Sequence, residues 1–258
     1  MGNLFRVDGK VAVVIGGAGG IGEAIAGGMA EYGAKGVVIA DVNEEKAQQL
    51  AKDITSKFKT ETLAVKFDIT DEKSVVGLRD QVVAKFGTTD ILVNSQGINV
   101  KFNSTEFPVD GWDKMYAINV RGTMLTCREF GKVMIEKKSG KVINLSSVRG
   151  VRATSWPGNE GYSSTKAAID MITRSLASEW AQYGINVNAI GPSTIATPFS
   201  ARTLQDPERL KRFLASCPLG RVGQPIDVIG LCVFLASQAS DFITGQIIYL
   251  DGGLTAIG

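Results

Sequence analysis

Tyr162 and Lys166 stand four residues apart, the spacing that puts two side chains on one face of a helix. An ammonium beside a phenol favours the phenolate and lowers the tyrosine pKa from its ordinary value of about 10. Such a pair can move a proton near neutral pH. By itself a Tyr-x-x-x-Lys pair usually marks a solvated helix face. Here Asn144-Leu145-Ser146-Ser147 lies just upstream, closing a buried apolar run. Ligands of open α/β sheets bind at the carboxyl ends of such strands. A Ser147 hydroxyl at that place can hydrogen-bond a substrate oxygen.

The composition narrows the chemistry further. The 258 residues include no histidine, which excludes Ser-His-Asp and Cys-His hydrolases and His-ligated zinc sites. Acid–base work must come from Asp, Glu, Lys, Tyr or Cys with a shifted pKa. Cys127, Cys217 and Cys232 are far apart and form no CxxC pair, so they read as small buried hydrophobes in a reducing compartment, and no metal site is expected. Net charge is +2, from 28 basic and 26 acidic side chains, and implies neither a nucleic acid nor another polyelectrolyte as partner. The start, Met1 to Arg6, has no apolar leader core, and no run of apolar residues is long enough to span a bilayer. A soluble, cytoplasmic protein acting on a small molecule is the expectation.

A second candidate site precedes the first. The apolar run Val11–Ile15 ends in Gly16-Gly17-Ala18-Gly19-Gly20-Ile21-Gly22, and a helical pattern follows at once. Glycines let backbone N–H groups approach an anion, and the helix start adds a positive dipole end. That context reads as a dinucleotide-binding turn rather than a mere tight connection. Asp41 ends the next apolar run, 19 residues after Gly22, where a Rossmann unit holds the acid that bonds the adenosine ribose. Its alternative is a helix cap ahead of Asn43-Glu44-Glu45. Neither the turn nor Val42-Asn43 offers a cation for a 2′-phosphate, so NAD is expected rather than NADP.

Elements must hold these residues in place. Seven short Val- and Ile-rich runs (around Val11, Val37, Leu63, Ile91, Val142, Ile185 and Ile247) alternate with segments of helical period. Several are apolar on both faces, as strands covered by helices on both sides are. Ile21, Ile25 and Met29 share one helix face; Val75, Leu78, Val82 and Phe86 share another, started by Thr70-Asp71; Ala168, Ile172 and Leu176 share a third. The expected fold is α/β: one domain over 1–258, a doubly wound parallel sheet of about seven strands. Residues 193–219, with weak periodicity and with Pro198 and Pro207 following Pro192, read as a substrate lid or a long surface connection.

Along its whole length the chain resembles the short-chain dehydrogenase/reductase family. The resemblance rests on the Gly16/Gly20/Gly22 turn, Asp41, Asp68, Asn94 to Gly97, Asn119 to Gly122, Ser147, and Tyr162 with Lys166. It continues through Pro192, Thr197, Arg221 to Pro225, Phe242 to Gln246 and Asp251 to Gly253. The resemblance implies a catalytic set of Asn119, Ser147, Tyr162 and Lys166. Tyr162 would be the general acid/base, Lys166 would lower its pKa and bond the nicotinamide ribose, and Asn119 would complete a proton relay to solvent. Gly16, Gly20, Ile21, Gly22, Asp41, Asp68, Ile69, Asn94, Gly97, Pro192, Ile195 and Thr197 would surround the cofactor. A homotetramer through the helices around 123–137 and 164–183 is likewise implied. The chain departs from the family pattern at Ile15, at Ser95-Gln96 and at Ser193, and its Ser147-to-Tyr162 spacing is slightly long.

Ser178 to Asn188 and Pro218 to Arg221 resemble gluconate 5-dehydrogenases and related sugar-acid or polyol dehydrogenases of that family. Lys101, Arg149 and Arg152 are expected at the catalytic end of the sheet, where a cation can pair with a substrate carboxylate; their alternative is solvated surface charge. Trp156 is the candidate apolar wall. Two other readings stand beside this one: a 3-oxoacyl-thioester reductase, and a non-catalytic NAD-binding scaffold or sensor.

Overall fold

The computed structural model describes residues 4–154 and 156–257; Met1 to Asn3, Ser155 and Gly258, and what was read from them, lie outside the described residues. In the first strand, β1 (Val11–Ile15), Ala12 and Val14 enter one core cluster while Val11, Val13 and Ile15 enter another. Neither face of β1 meets water, which is why its sequence shows no polar alternation. The other strands are β2 (Gly36–Asp41), β3 (Glu61–Lys66), β4 (Ile91–Asn94), β5 (Gly140–Leu145), β6 (Ile185–Pro192) and β7 (Ile247–Leu250). All pair in parallel, in the order β3-β2-β1-β4-β5-β6-β7. Ile15 lies opposite Ala40 on one side and Asn94 on the other, so the strands end nearly level. The order reverses between β1 and β4, and a crevice opens at that rim.

The helices are α1 (Gly20–Glu31), α2 (Glu44–Phe58), α3 (Glu72–Phe86), α4 (Val109–Met115), α5 (Gly122–Lys137), α6 (Glu160–Trp180), α7 (Ala201–Leu204), α8 (Pro207–Ser216) and α9 (Pro225–Ala236). Side chains of α1, α2 and α9 fill one core; those of α3, α5 and α6 fill the other. The fold is therefore a single doubly wound α/β domain. Asn43 caps α2 by accepting from Lys46 N, and Asp71 caps α3 by accepting from Lys73 N.

The structure refines three local readings. In α6 the fully buried face carries Tyr162, Lys166, Ile169, Thr173, Ala177 and Trp180, while Ala168, Ile172 and Leu176 form a half-buried stripe beside it. The inward face is partly polar because it looks onto the site and onto a buried row of amides, so apolar spacing alone pointed to the neighbouring face. Strand β3 is an edge, and only Val65 in it is buried. Residues 193–219 are not an irregular connection. They hold a 3₁₀ turn (Pro198–Ser200), then α7 and α8. Asp206 caps α8 with Pro207 at its first position, so one of the segment's prolines starts a helix.

Candidate active site

The glycine turn is held from β2. Gly16 N and Gly17 N donate to Ala40 O at 2.8 and 3.3 Å, and Ala18 N donates to Asp41 Oδ2 at 3.0 Å. These bonds brace a turn that has Ile15 at its start and no hydroxyl there. Gly16 adopts φ +69°, and a Cβ on it would lie 2.9 Å from the Gln96 backbone. A Cβ on Gly22 would lie 2.1 Å from Gly16 O, so helix α1 can sit this close to the turn only with glycine. Gly19 precedes α1 without a side-chain cap, which leaves the first N–H groups of the helix for a ligand. Thr197 lies directly over Gly20.

This turn forms one part of a continuous cavity of about 1080 Å³. At the β2 and β3 ends it is lined by Asp41, Asp68 and Ile69; at the turn by Gly16, Gly20 and Ile21; across from it by Gly97, Pro192, Ile195 and Thr197. Asp41 also accepts from Asn43 N at 3.0 Å, while the cap of α2 is Asn43 itself. Two expected cofactor residues do not line the cavity. Gly22 acts through the close packing just described. Asn94 is buried below the floor, its Nδ2 donating to Asn144 Oδ1 at 2.9 Å and its Oδ1 accepting from Thr126 at 2.7 Å. Its amide groups are thereby used inside the core. A cation is present where none was expected: Lys46, in the first turn of α2, lines the cavity beside Asp41. Gln96 is folded back onto Thr123 (Nε2 to Oγ1, 2.8 Å), and its Oε1 is buried without a partner while the residue lines the cavity. An orphaned acceptor, uncapped helix N–H groups and an acidic pair at the far end together fit a dinucleotide.

Beyond the turn lie Ser147, Tyr162 and Lys166, all buried and all facing the same cavity. Burial pushes the Tyr162 phenol up to about 12, while a hydrogen bond with Ser147 and the charge of Arg149 pull it back down. Lys166 stands one helical turn away on α6. Its Nζ lies 5.6 Å from the Tyr162 ring centre, donates to Leu145 O at 2.6 Å, and is itself pushed down to about 8 by burial. Ser147 caps a 3₁₀ turn (Val148–Gly150), accepting from Arg149 N at 3.2 Å, which fixes its hydroxyl at the end of β5. Asn119 sits in a π-helical stretch, Tyr116–Arg121, between α4 and α5. Its Oδ1 accepts from Ile98 N at 2.9 Å, and its Nδ2 donates to Ile98 O at 3.0 Å and Thr165 Oγ1 at 3.1 Å. The side chain thus clamps the loop after β4 to α6 from behind the cavity wall. Asp170, one turn beyond Lys166, is a further buried carboxylate whose pKa burial raises. The Tyr–Lys–Asp spacing could have revealed it.

The other end of the cavity is cationic. Lys101, Arg149 and Arg152 line it, joined by Arg202, Arg209 and Arg212 from α7 and α8. Arg149 Nη1 donates to Ala153 O at 3.0 Å, and Arg152 donates to Leu254 O. Trp156 lines this end of the cavity, and the guanidinium groups of Arg209 and Arg212 lie over its ring, 4.7 and 4.9 Å from the ring centre. Phe199, from the 3₁₀ turn before α7, lies against the Tyr162 ring with centres 5.8 Å apart. The 193–219 segment therefore roofs both the tyrosine and the cationic end.

The family model described as enoyl-(acyl carrier protein) reductase matches residues 16–255. The chain belongs to the short-chain dehydrogenase/reductase family. Among its relatives is the gluconate 5-dehydrogenase of Gluconobacter oxydans, 33% identical over 253 residues that cover 98% of this chain and 97% of the relative. The NAD-dependent glycerol dehydrogenase of Listeria innocua is 36% identical over 254 residues, covering 97% and 96%. A crystal structure of a gluconate 5-dehydrogenase from Burkholderia cenocepacia, in complex with NADP and tartrate, superposes with a TM-score of 0.95 at 35% identity, covering 99% of this chain and 98% of that one. This short-chain dehydrogenase/reductase is accordingly an NAD(P)-dependent oxidoreductase, similar along its length to gluconate 5-dehydrogenases and to a glycerol dehydrogenase. Among its described residues no helix is long and apolar enough to cross a membrane, and no cluster of His, Cys, Asp and Glu could hold a metal.

Proposed function

We propose that this protein interconverts a secondary alcohol and a ketone on a sugar acid or polyol, with NAD(H) as the preferred cofactor and Tyr162 as the acid/base. The reading is carried by the meeting of Ser147, Tyr162 and Lys166 in the same cavity as the glycine turn. The names of the relatives support the substrate class.

In the oxidative direction Tyr162 Oη takes the proton of the substrate hydroxyl; in reduction it returns one to the carbonyl oxygen. Ser147 Oγ holds that oxygen as charge develops on it. Lys166 holds the cofactor ribose, and its positive charge, once screened from water, favours the phenolate. Asn119 keeps the Ile98 loop and Thr165 at a fixed separation, so that a water near Lys166 can pass the proton on. The nicotinamide, when bound, supplies or takes the hydride at the substrate carbon. Gly16, Gly20 and Ile21 with Thr197 hold the pyrophosphate, Asp41 the adenosine ribose, and Asp68 and Ile69 the adenine. Asp41 favours the ribose hydroxyls over a phosphate. Lys46 beside it supports some use of NADP as well.

We further infer a cytoplasmic homotetramer. It would assemble through α5 and α6, where Met124, Met171 and the stripe Ala168, Ile172 and Leu176 leave apolar surface uncovered.

The test is the initial rate of reduced-nicotinamide formation with NAD and with NADP. The substrates are gluconate, sorbitol, mannitol, a 3-hydroxyacyl thioester and simple secondary alcohols. Turnover of gluconate with NAD is the expected result. Turnover of the thioester alone would replace this reading with an acyl-thioester reductase. Cofactor binding without turnover of any alcohol would leave a binding protein and remove the catalytic reading.

A further inference from the structure

Six cations line the substrate end of the cavity: Lys101, Arg149 and Arg152 on one side, and Arg202, Arg209 and Arg212 from α7 and α8 on the other. Arg209 alone among them has a carboxylate opposite, Asp206 at 2.9 Å. Among the described residues the acids lining the cavity, Asp41 and Asp68, are at the adenosine end, and Glu160 lines only the adjoining hollow beside Arg149, Arg152 and Trp156. Lys101 is half-buried at its centre. Burial and the charges of Arg202, Arg209 and Arg149 all push its amine down. Like charges gathered in a half-enclosed space repel one another unless an anion joins them. The cofactor pyrophosphate does not serve, since its place is the start of α1. One substrate carboxylate beside Arg149 would still leave the α7–α8 cations unmatched. Arg209 and Arg212 moreover each lie over the Trp156 ring, which helps to hold them in place. Positioned guanidinium forks of this kind suit carboxylate or phosphate oxygens.

We propose that the substrate carries two anionic groups: a sugar acid with a second carboxylate or a phosphate at the far end of its carbon chain. This rests on the sugar-acid reading above. The reacting carbon lies at Tyr162, the first anion meets Arg149 and Lys101, and the chain runs on to place the second anion among Arg202, Arg209 and Arg212. Binding of that second group draws α7 and α8 against the cavity.

The experiment compares kcat/KM with saturating NAD at fixed ionic strength for four compounds of equal chain length. These are a neutral polyol, an aldonate, an aldarate and an aldonate phosphorylated on its terminal hydroxyl. The comparison is repeated in the exposed-site double variant Arg202→Gln/Arg212→Gln. One or both dianions should exceed the aldonate by about tenfold or more, which is about 1.4 kcal/mol. The aldarate and phosphate arms tell the two sources apart. In the double variant the dianion-to-aldonate ratio should fall toward one, whereas a merely structural loss would lower all rates together. Titration of intrinsic fluorescence with each anion, with Trp156→Phe as the blank, reads binding without turnover. Equal rates for aldonate and dianions, or a ratio unchanged in the double variant, overturn the proposal while leaving the sugar-acid reading intact. Turnover of neutral alcohols alone overturns both.

Discussion

Tyr162 is buried, and burial holds its phenol up to about 12 against the pull of Ser147 and Arg149. In the proposed mechanism the charge that favours its ionisation is that of Lys166, once water is excluded. Tyr162→Phe should therefore lower kcat by about 10²–10⁴-fold, the usual worth of a positioned acid/base. The variant should still bind NAD, as followed by nicotinamide fluorescence; retention of most activity would reassign the proton transfer. Lys166 carries a second, independent signature. Its amine loses its proton from about 8 in the folded protein, against an ordinary value of 10.5. Between those values the unfolded chain binds more protons, so stability rises with pH through that window, and the contribution is absent below about 8. Urea midpoints at pH 8, 9 and 10 should climb for the natural chain relative to Lys166→Met. Parallel profiles for the two proteins would mean that Lys166 titrates normally.

Elements carried most of what was legible in the sequence, for identifiable reasons. The Val and Ile runs read as buried strands because covered strands have no polar face, and β1 demonstrates this directly with its residues split between two cores. The Tyr162–Lys166 pairing read correctly because helical spacing needs no tertiary information. Arg209 and Arg212 were not legible. In sequence they are surface cations of a short helix, and only the path of 193–219 over the cavity brings them to Trp156. Asn94 failed in the opposite sense: a polar residue at a strand end looks like a ligand contact, yet its amide is consumed by Asn144 and Thr126. Helix α8 gives a test at this scale. Asp206 accepts from Glu208 N and Arg209 N, both at 3.1 Å, and pairs with the Arg209 side chain. Asp206→Ala should cost about 1 kcal/mol of cap, about fivefold in opening of this helix. Trypsin should then cut within residues 202–212 correspondingly faster while the thermal midpoint of the domain barely moves. An unchanged rate of cutting would mean that α8 is held by its packing rather than by its cap.

At the scale of the whole molecule, one cavity runs from Asp41 and Lys46 to Trp156, and its two ends differ in charge. Acid and base stand side by side at the end proposed for the adenosine, and under the NAD reading the charge of Asp41 outweighs that of Lys46. Asp41→Asn removes that charge while leaving an acceptor for Ala18 N. The ratio of kcat/KM for NADP to that for NAD should rise about tenfold, and an unchanged ratio would take the ribose contact away from Asp41.

The three thiols belong to this scale as well. Cys127, Cys217 and Cys232 are all buried and unpaired, and burial raises the first to about 12 and the third further still. A thiol that reagents cannot reach does not react, so iodoacetamide should leave the native enzyme fully active and unlabelled. Rapid inactivation by that reagent would mean that the core opens to solvent far more often than its packing implies. The natural chain thus already serves as a silent background for site-directed labelling. A single cysteine introduced at an exposed position of α8 can carry a dye or a spin label, and the opening and closing of the roof over the active site can be timed without removing any native residue.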